Sequence, residues 1–223
     1  MKLSRLVYEV VKATLKLGNT EFTYHAFREK QFDATVDYSS DIENSYIEIN
    51  QAIQRLQDLK RIPLKIEQFK CGNDLVFDFK ELNLNIKDIK NIVSIDKTTG
   101  DYINIPYRNL GVEKVYLLDT SVRNKELFVE YEEDIPNFTS DDFDYSNYAT
   151  DGTYEDIDLK DYGISESMAF KIIKYATARL FSKIDPQIAA REETLAEQYF
   201  TDLPTYATAF FQNKILKKYK VGD

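Results

Sequence analysis

The hydrophobic spacing of the chain changes twice, and those two changes limit its fold more than any other feature. Over residues 3–17 and 40–60, apolar side chains recur every three or four positions; from Pro63 to Tyr131 they alternate; from Ser165 the helical spacing returns. A period near 3.6 fits a helix with one buried face, and a period of 2 fits a half-buried strand. Pro63 cannot continue a helix interior, because it has no N–H and its ring meets the preceding turn. The expected class is α+β: a small helical bundle with an inserted antiparallel β unit and a C-terminal helical arm. The expected division is residues 1–61 and 162–223 for bundle and arm, 62–131 for the β unit, and 132–161 for an acidic loop.

Four helices follow from the spacing. Residues 3–17 place Leu3, Leu6, Val7, Val10, Val11 and Leu15 on one face, with Gly18-Asn19 as a C-cap pair. Lys2, Arg5, Lys12 and Lys16 mark a basic outer face, expected to be solvated. Residues 40–60 carry Ile42, Tyr46, Ile49, Ile53 and Leu56 in a narrow stripe, and Ser40 with Glu43 fits a capping box. Asn50 beside the stripe is expected to hydrogen-bond at the helix interface. Residues 166–184 show Met168, Ile172, Ala176 and Leu180 at spacing four, behind Ser165 as N-cap. Asp185-Pro186 makes a corner, since Pro at the first helical position lacks only an N–H that would be unpaired there. Residues 187–201 then carry Ile188, Leu195, Tyr199 and Phe200. Ile49, Ile53, Ile172 and Ala176 are expected to be buried together.

Between the helical halves, about six short strands are expected. They run through Leu64–Phe69, Leu75–Phe79, Ile89–Ile95, Tyr102–Ile105, Val115–Leu118 and Leu127–Tyr131, with Lys97-Thr98-Thr99-Gly100 as a hairpin turn. Residues 19–39 are long for a connection and rich in aromatics. They hold His25, the only histidine, which has no catalytic partner nearby and reads as a surface or packing residue.

Charge is distributed unevenly. Lys and Arg number 29 and Asp and Glu 38, giving −9. Residues 132–161 hold eleven acids and one lysine, or −10, so the remainder is close to neutral. Such a run resists burial and reads as an extended, flexible loop that orders against neighbours. Its acidic surface is assigned to Asp141, Asp142, Asp144, Asp151, Glu155, Asp156 and Asp158. Asp151-Gly152 with Asn147 and Asp158 matches a calcium loop only in part, because Ala149 stands at a ligand position and Asp158 replaces a bidentate Glu. No metal and no cofactor is therefore expected.

Other classes are disfavoured. One cysteine, Cys71, excludes an internal disulfide and a cysteine-rich metal site. The start, Met1-Lys2-Leu3-Ser4-Arg5, has no continuous apolar run, so no signal peptide is expected, and no stretch has the length of a membrane span. An acidic chain is not a default nucleic-acid binder. There is no glycine-rich phosphate loop, serine elbow, Cys–His pair or histidine cluster, and the expectation is that the chain is not an enzyme.

The order of elements adds to this. A capped helix containing Ile49-Asn50-Gln51-Ala52-Ile53 leads to a β insertion with Ile92-Val93-Ser94-Ile95 and Ile105-Pro106-Tyr107-Arg108. The chain then returns through Ala169-Phe170-Lys171 and Tyr175-Ala176-Thr177-Ala178-Arg179-Leu180 to the Asp185-Pro186 corner. This layout resembles the head–tail adaptor, or connector and neck ring, proteins of tailed bacteriophages, among them ring proteins of crAss-like phages. The β unit, residues 19–39 and the acidic run are larger than the family pattern. The resemblance implies a structural virion protein at the neck, made in the host bacterial cytoplasm. It implies a homo-oligomeric ring, of roughly twelve copies in the family pattern, closed by heterologous contacts. It would meet the portal protein and the next tail or neck protein, and DNA would pass through without specific binding. The rival reading from another class is a cytoplasmic protein-interaction module without ring assembly.

The tail is the expected partner-binding arm. Leu203-Pro204 interrupts the last helix, and Tyr206, Phe210, Phe211, Ile215 and Leu216 then form an apolar set accompanied by Lys214, Lys217, Lys218 and Lys220. Either this segment folds back on its own bundle, or it docks as an amphipathic helix in a groove on the portal or a neighbouring subunit.

Overall fold

A computed structural model describes residues 1–15, 23, 24, 27, 38–96, 98–140, 143, 144, 155–182 and 186–206. It is α+β, with four helices and two small antiparallel sheets among those residues. The chain divides into two units. One is built from Met1–Ile62 and Pro136–Thr205, the other on Pro63–Ile135.

The helical unit contains α1 (Leu3–Leu15), α2 (Ser39–Asp58), α3 (Glu166–Ser182) and α4 (Pro186–Thr201). Helix α3 packs against all three others. Its stripe residues Met168, Ile172, Ala176 and Leu180 are buried, as are Ile49, Ile53 and Leu56 of α2 and Leu3, Leu6, Val7 and Val10 of α1. Tyr175 of α3 stacks on Phe200 of α4, with ring centroids 4.8 Å apart. Ser165 does cap α3, its hydroxyl accepting from the Met168 amide at 3.3 Å. Pro186 is the first residue of α4. After Thr201 the backbone tightens, with the Leu203 amide donating to the Phe200 carbonyl at 3.2 Å, and Leu203 is buried.

The expected capping box is not formed. Helix α2 begins at Ser39, with Tyr38 as its cap and no side-chain cap bond. Ser40 is already inside the helix, where its hydroxyl cannot reach back to the free amides of the first turn. At the other end, Lys60 adopts a positive φ of 55° and the Arg61 amide returns to the Leu56 carbonyl at 2.8 Å, closing the helix. The proposed Gly18-Asn19 cap of α1 and His25 lie outside the described residues.

One buried charge crosses the bundle. Glu48 of α2 is nearly inaccessible, and Arg179 of α3 approaches it at 3.5 Å.

The β unit has seven strands: β1 (Lys65–Lys70), β2 (Val76–Asp78), β3 (Ile86–Ile95), β4 (Tyr102–Asn104), β5 (Tyr107–Asn109), β6 (Lys114–Leu117) and β7 (Glu126–Glu133). One sheet has the order β1-β7-β3-β4 and the other β2-β6-β5, all antiparallel. Their facing sides share a core that includes Phe69, Phe77, Phe79, Ile92, Val115, Leu117, Leu127 and Val129. Phe69, Phe77 and Phe79 form a triangle with centroids 4.5 to 5.1 Å apart. The hairpin turn after β3 is held by Asp96, whose carboxylate accepts from the Thr98 and Thr99 amides at 2.7 and 3.2 Å. Those bonds hold its pKa below the ordinary value.

Two strand features differ from expectation. The three-residue strand β5 was not legible, because Tyr107-Arg108-Asn109 is too short to show an alternation. Strand β7 runs past Tyr131 into the acidic stretch, because its carboxylates meet lysines. Lys65 lies 2.6 Å from Glu133, and Lys90 and Lys87 lie 3.2 and 3.6 Å from Glu132.

Ile53 is 4 % exposed against the helical core. Ile53→Ala should lower unfolding free energy by about 2–5 kcal/mol, read as a shift of the urea midpoint of the full chain. A loss below about 1 kcal/mol would mean that this helix is not fixed by its stripe.

Candidate functional site

The helical unit carries an apolar cleft of about 1060 Å³ along the outer side of α2. The stripe of α2 points two ways. Ile49, Ile53 and Leu56 enter the bundle, whereas Ile42, Tyr46 and Ile47 line the cleft. Ile47 is 45 % exposed.

The opposite wall is residues 137–140, and Asn50 holds it in place. The Asn50 side-chain amide donates to the Phe138 carbonyl at 2.8 Å, and its carbonyl oxygen accepts from the Phe138 amide at 2.9 Å. One side chain thus satisfies both backbone groups of Phe138, as a neighbouring strand would. The Phe138 ring is buried and packs edge-on to Tyr162 at 5.5 Å. Phe27 closes one end of the cleft and stands 5.8 Å from Tyr8 of α1.

Among the described residues the lining contains one carboxylate, Glu43, and no Lys, Arg, His or Cys. The cleft volume, about 1060 Å³, lies at the upper end of the range of small-ligand pockets, about 300–1,000 Å³.

Of the sequence-assigned acidic residues, Asp156 and Asp158 have described side chains. Asp156 accepts from the Ser4 amide at 3.2 Å and from the Ser4 hydroxyl at 2.6 Å. Asp158 lies 3.6 Å from the N-terminal ammonium and 3.8 Å from Lys2. Both therefore anchor the start of α1, where a negative group is favoured by the free amides and the helix dipole. Asp158 also accepts from the Lys160 amide, chiefly for which its pKa lies below the ordinary value. Strands β8 (Phe143–Asp144) and β9 (Glu155–Asp156) pair, placing the Asp144 and Glu155 backbones opposite one another. Asp141, Asp142 and Asp151 lie outside the described residues. So do Asn147 and Gly152 of the partial calcium loop, and no metal-binding cluster of His, Cys, Asp or Glu occurs among the described residues.

Of the tail residues, Tyr206 is half-buried, while Phe210, Phe211, Ile215, Leu216, Lys217 and Lys218 lie outside the described residues. The chain is fixed just before this point, where the Arg61 guanidinium donates to the Leu203 carbonyl and the Thr205 hydroxyl.

Sequence reasoning missed the cleft. Phe138 read as one more aromatic in a charged loop. The only signal was Asn50, a polar side chain beside an apolar stripe, and it bonds a returning strand-like segment rather than a helix. No described helix is long and apolar enough to cross a membrane. No protein-family model and no curated protein matches the chain.

Asn50→Ala would strand the Phe138 amide and carbonyl in a buried setting. The expected loss is about 1–3 kcal/mol per stranded group, measured by urea unfolding; an unchanged midpoint would show that other contacts hold this wall. A second expectation concerns Glu130 in the β unit. It is fully buried, with one oxygen accepting from Asn91 at 2.7 Å and the other unpaired among the described residues. Desolvation pushes its pKa above the ordinary value, and the Asn91 bond opposes this only in part. The folded chain therefore keeps this proton to higher pH than the unfolded chain. Its contribution to stability declines as pH rises through and above the ordinary carboxylate value of about 4.3. Glu130→Gln should raise the urea midpoint at neutral pH, and the gain should vanish near pH 3 or so. A gain independent of pH would point to packing instead.

Proposed function

We propose that this chain is a structural virion protein of a tailed bacteriophage, a head-to-tail adaptor that assembles as a ring below the portal and surrounds the DNA channel. One observation carries the reading: the helical unit is made from both ends of the chain, with the β unit inserted between α2 and α3. That arrangement matches the layout on which the sequence resemblance rests. The largely apolar described lining of the cleft supports a binding role.

In this reading the ring meets the portal on one side and the next neck or tail protein on the other, and no cofactor takes part. DNA passes without being held, since an acidic lining repels phosphate where a basic one would bind it through counterion release. The segment from Pro204 to the end is the docking arm, with Phe210 and Phe211 as aromatic anchors.

Two measurements test this. The mass of the purified chain, alone and with a candidate portal protein, should show a closed oligomer or a portal-bound ring. Deleting residues 204–223, or Phe210→Ala with Phe211→Ala, should preserve the circular dichroism spectrum and abolish incorporation into phage particles. Normal incorporation sinks the docking arm. A chain that binds a protein partner but enters no particle and forms no ring is the interaction module instead.

A further inference from the structure

Seven large apolar side chains are exposed among the described residues, and five of them belong to the β unit: Ile103 on β4, and Leu110, Val112, Tyr116 and Leu118 on or beside β5 and β6. A sixth, Ile47, lines the cleft of the helical unit. Leu110 and Val112 sit in the β5–β6 connection, 50 % and 61 % exposed, with Gly111 between them in open space. Tyr116 follows on the outer face of β6, level with Val76 and Arg108 on the neighbouring strands. An exposed apolar loop and an apolar cleft therefore occur on one chain.

We infer that the β5–β6 tip of one copy of this chain inserts into the α2 cleft of the next copy. Exposed apolar patches of this kind mark interaction sites. The contact joins unlike surfaces, so it closes a reciprocal twofold dimer, a ring or a filament according to the rotation between copies. Charge agrees. Around the tip Arg108, Lys114 and Lys80 stand with Glu113 and Asp78, Lys114 lying 3.9 Å from Asp78 and Lys80 3.6 Å from Glu113, which leaves the patch net positive; among the described residues the charged group lining the cleft is Glu43. Leu110 and Val112 would cover Ile42, Tyr46 and Ile47, while Arg108 or Lys114 would meet Glu43 at the rim. The inference rests on the ring reading only for closure; the contact itself is a property of the purified chain.

The test is crosslinking between two full-length variants, Val112→Cys and Ile47→Cys, both at exposed positions where folding is not at stake. The native Cys71 is buried, and burial pushes its thiol pKa up, so the unmodified chain serves as the unreactive control. With a short bis-maleimide at high protein concentration, the mixture should give covalent dimer several-fold above either variant alone. Glu43→Lys in the Ile47→Cys chain should suppress it, and Arg108→Glu with Lys114→Glu in the Val112→Cys chain should restore it. Absence of mixed dimer overturns the inference, and so does equal dimer from Val112→Cys alone, which would mean tip-to-tip contact. Deletion of residues 204–223 from the Ile47→Cys chain should leave the yield unchanged; a marked rise would make the tail the occupant and overturn the inference. Phage incorporation of Leu110→Asp with Val112→Asp separates the two readings. Normal incorporation with failed crosslinking leaves the adaptor and removes this contact. Crosslinking by a chain that enters no particle leaves the contact and removes the adaptor.

Discussion

The pair of hydrogen bonds between Asn50 and Phe138 fixes where the chain re-enters the helical unit after its β excursion. Until that point residues 136–140 have no ladder partner, and a buried backbone without partners is costly. Asn50 supplies a donor and an acceptor from one planar group, so the segment runs beside α2 and the Phe138 ring turns inward. Everything downstream inherits this position. The cleft exists because the segment is held beside α2 rather than packed flat against Ile42 and Ile47.

A second tie, at the start of α1, shows how an acidic stretch becomes structural. Asp156 and Asp158 come from a run that carries −10 overall, yet each meets positive or donor groups at the N-terminus. The Leu3 amide donates to the Ile157 carbonyl at 2.9 Å, and the Leu159 amide donates to the Met1 carbonyl at 3.2 Å. The first residues of the chain are thereby paired like a short strand before the helix begins. Further back, Glu132 and Glu133 are matched by lysines on β1 and β3. Repulsion within such a run is a reason for extension only while its charges lack partners.

The helices and the class of the β unit were legible because their signals are periodic and long. Met168, Ile172, Ala176 and Leu180 repeat over a whole helix, and Leu127, Val129 and Tyr131 over a whole strand. What was not legible depended on contacts distant in sequence. Asn50 and Phe138 are 88 positions apart, and Ser4 and Asp156 are 152 apart. The Ser40 box failed for a local reason: the same residues also tolerate an earlier helix start, and a capping pattern does not choose between registers. The cleft was hidden because Ile42 shares the period of Ile49 and Ile53, and spacing alone does not tell a buried neighbour from an open one.

The placement of charge bears on what the acidic run can still do. A carboxylate within about 4 Å of a cation has little field left beyond a Debye length, about 8–10 Å at ordinary salt. Glu132, Glu133 and Asp158 are in that position, so they add little to any negative face.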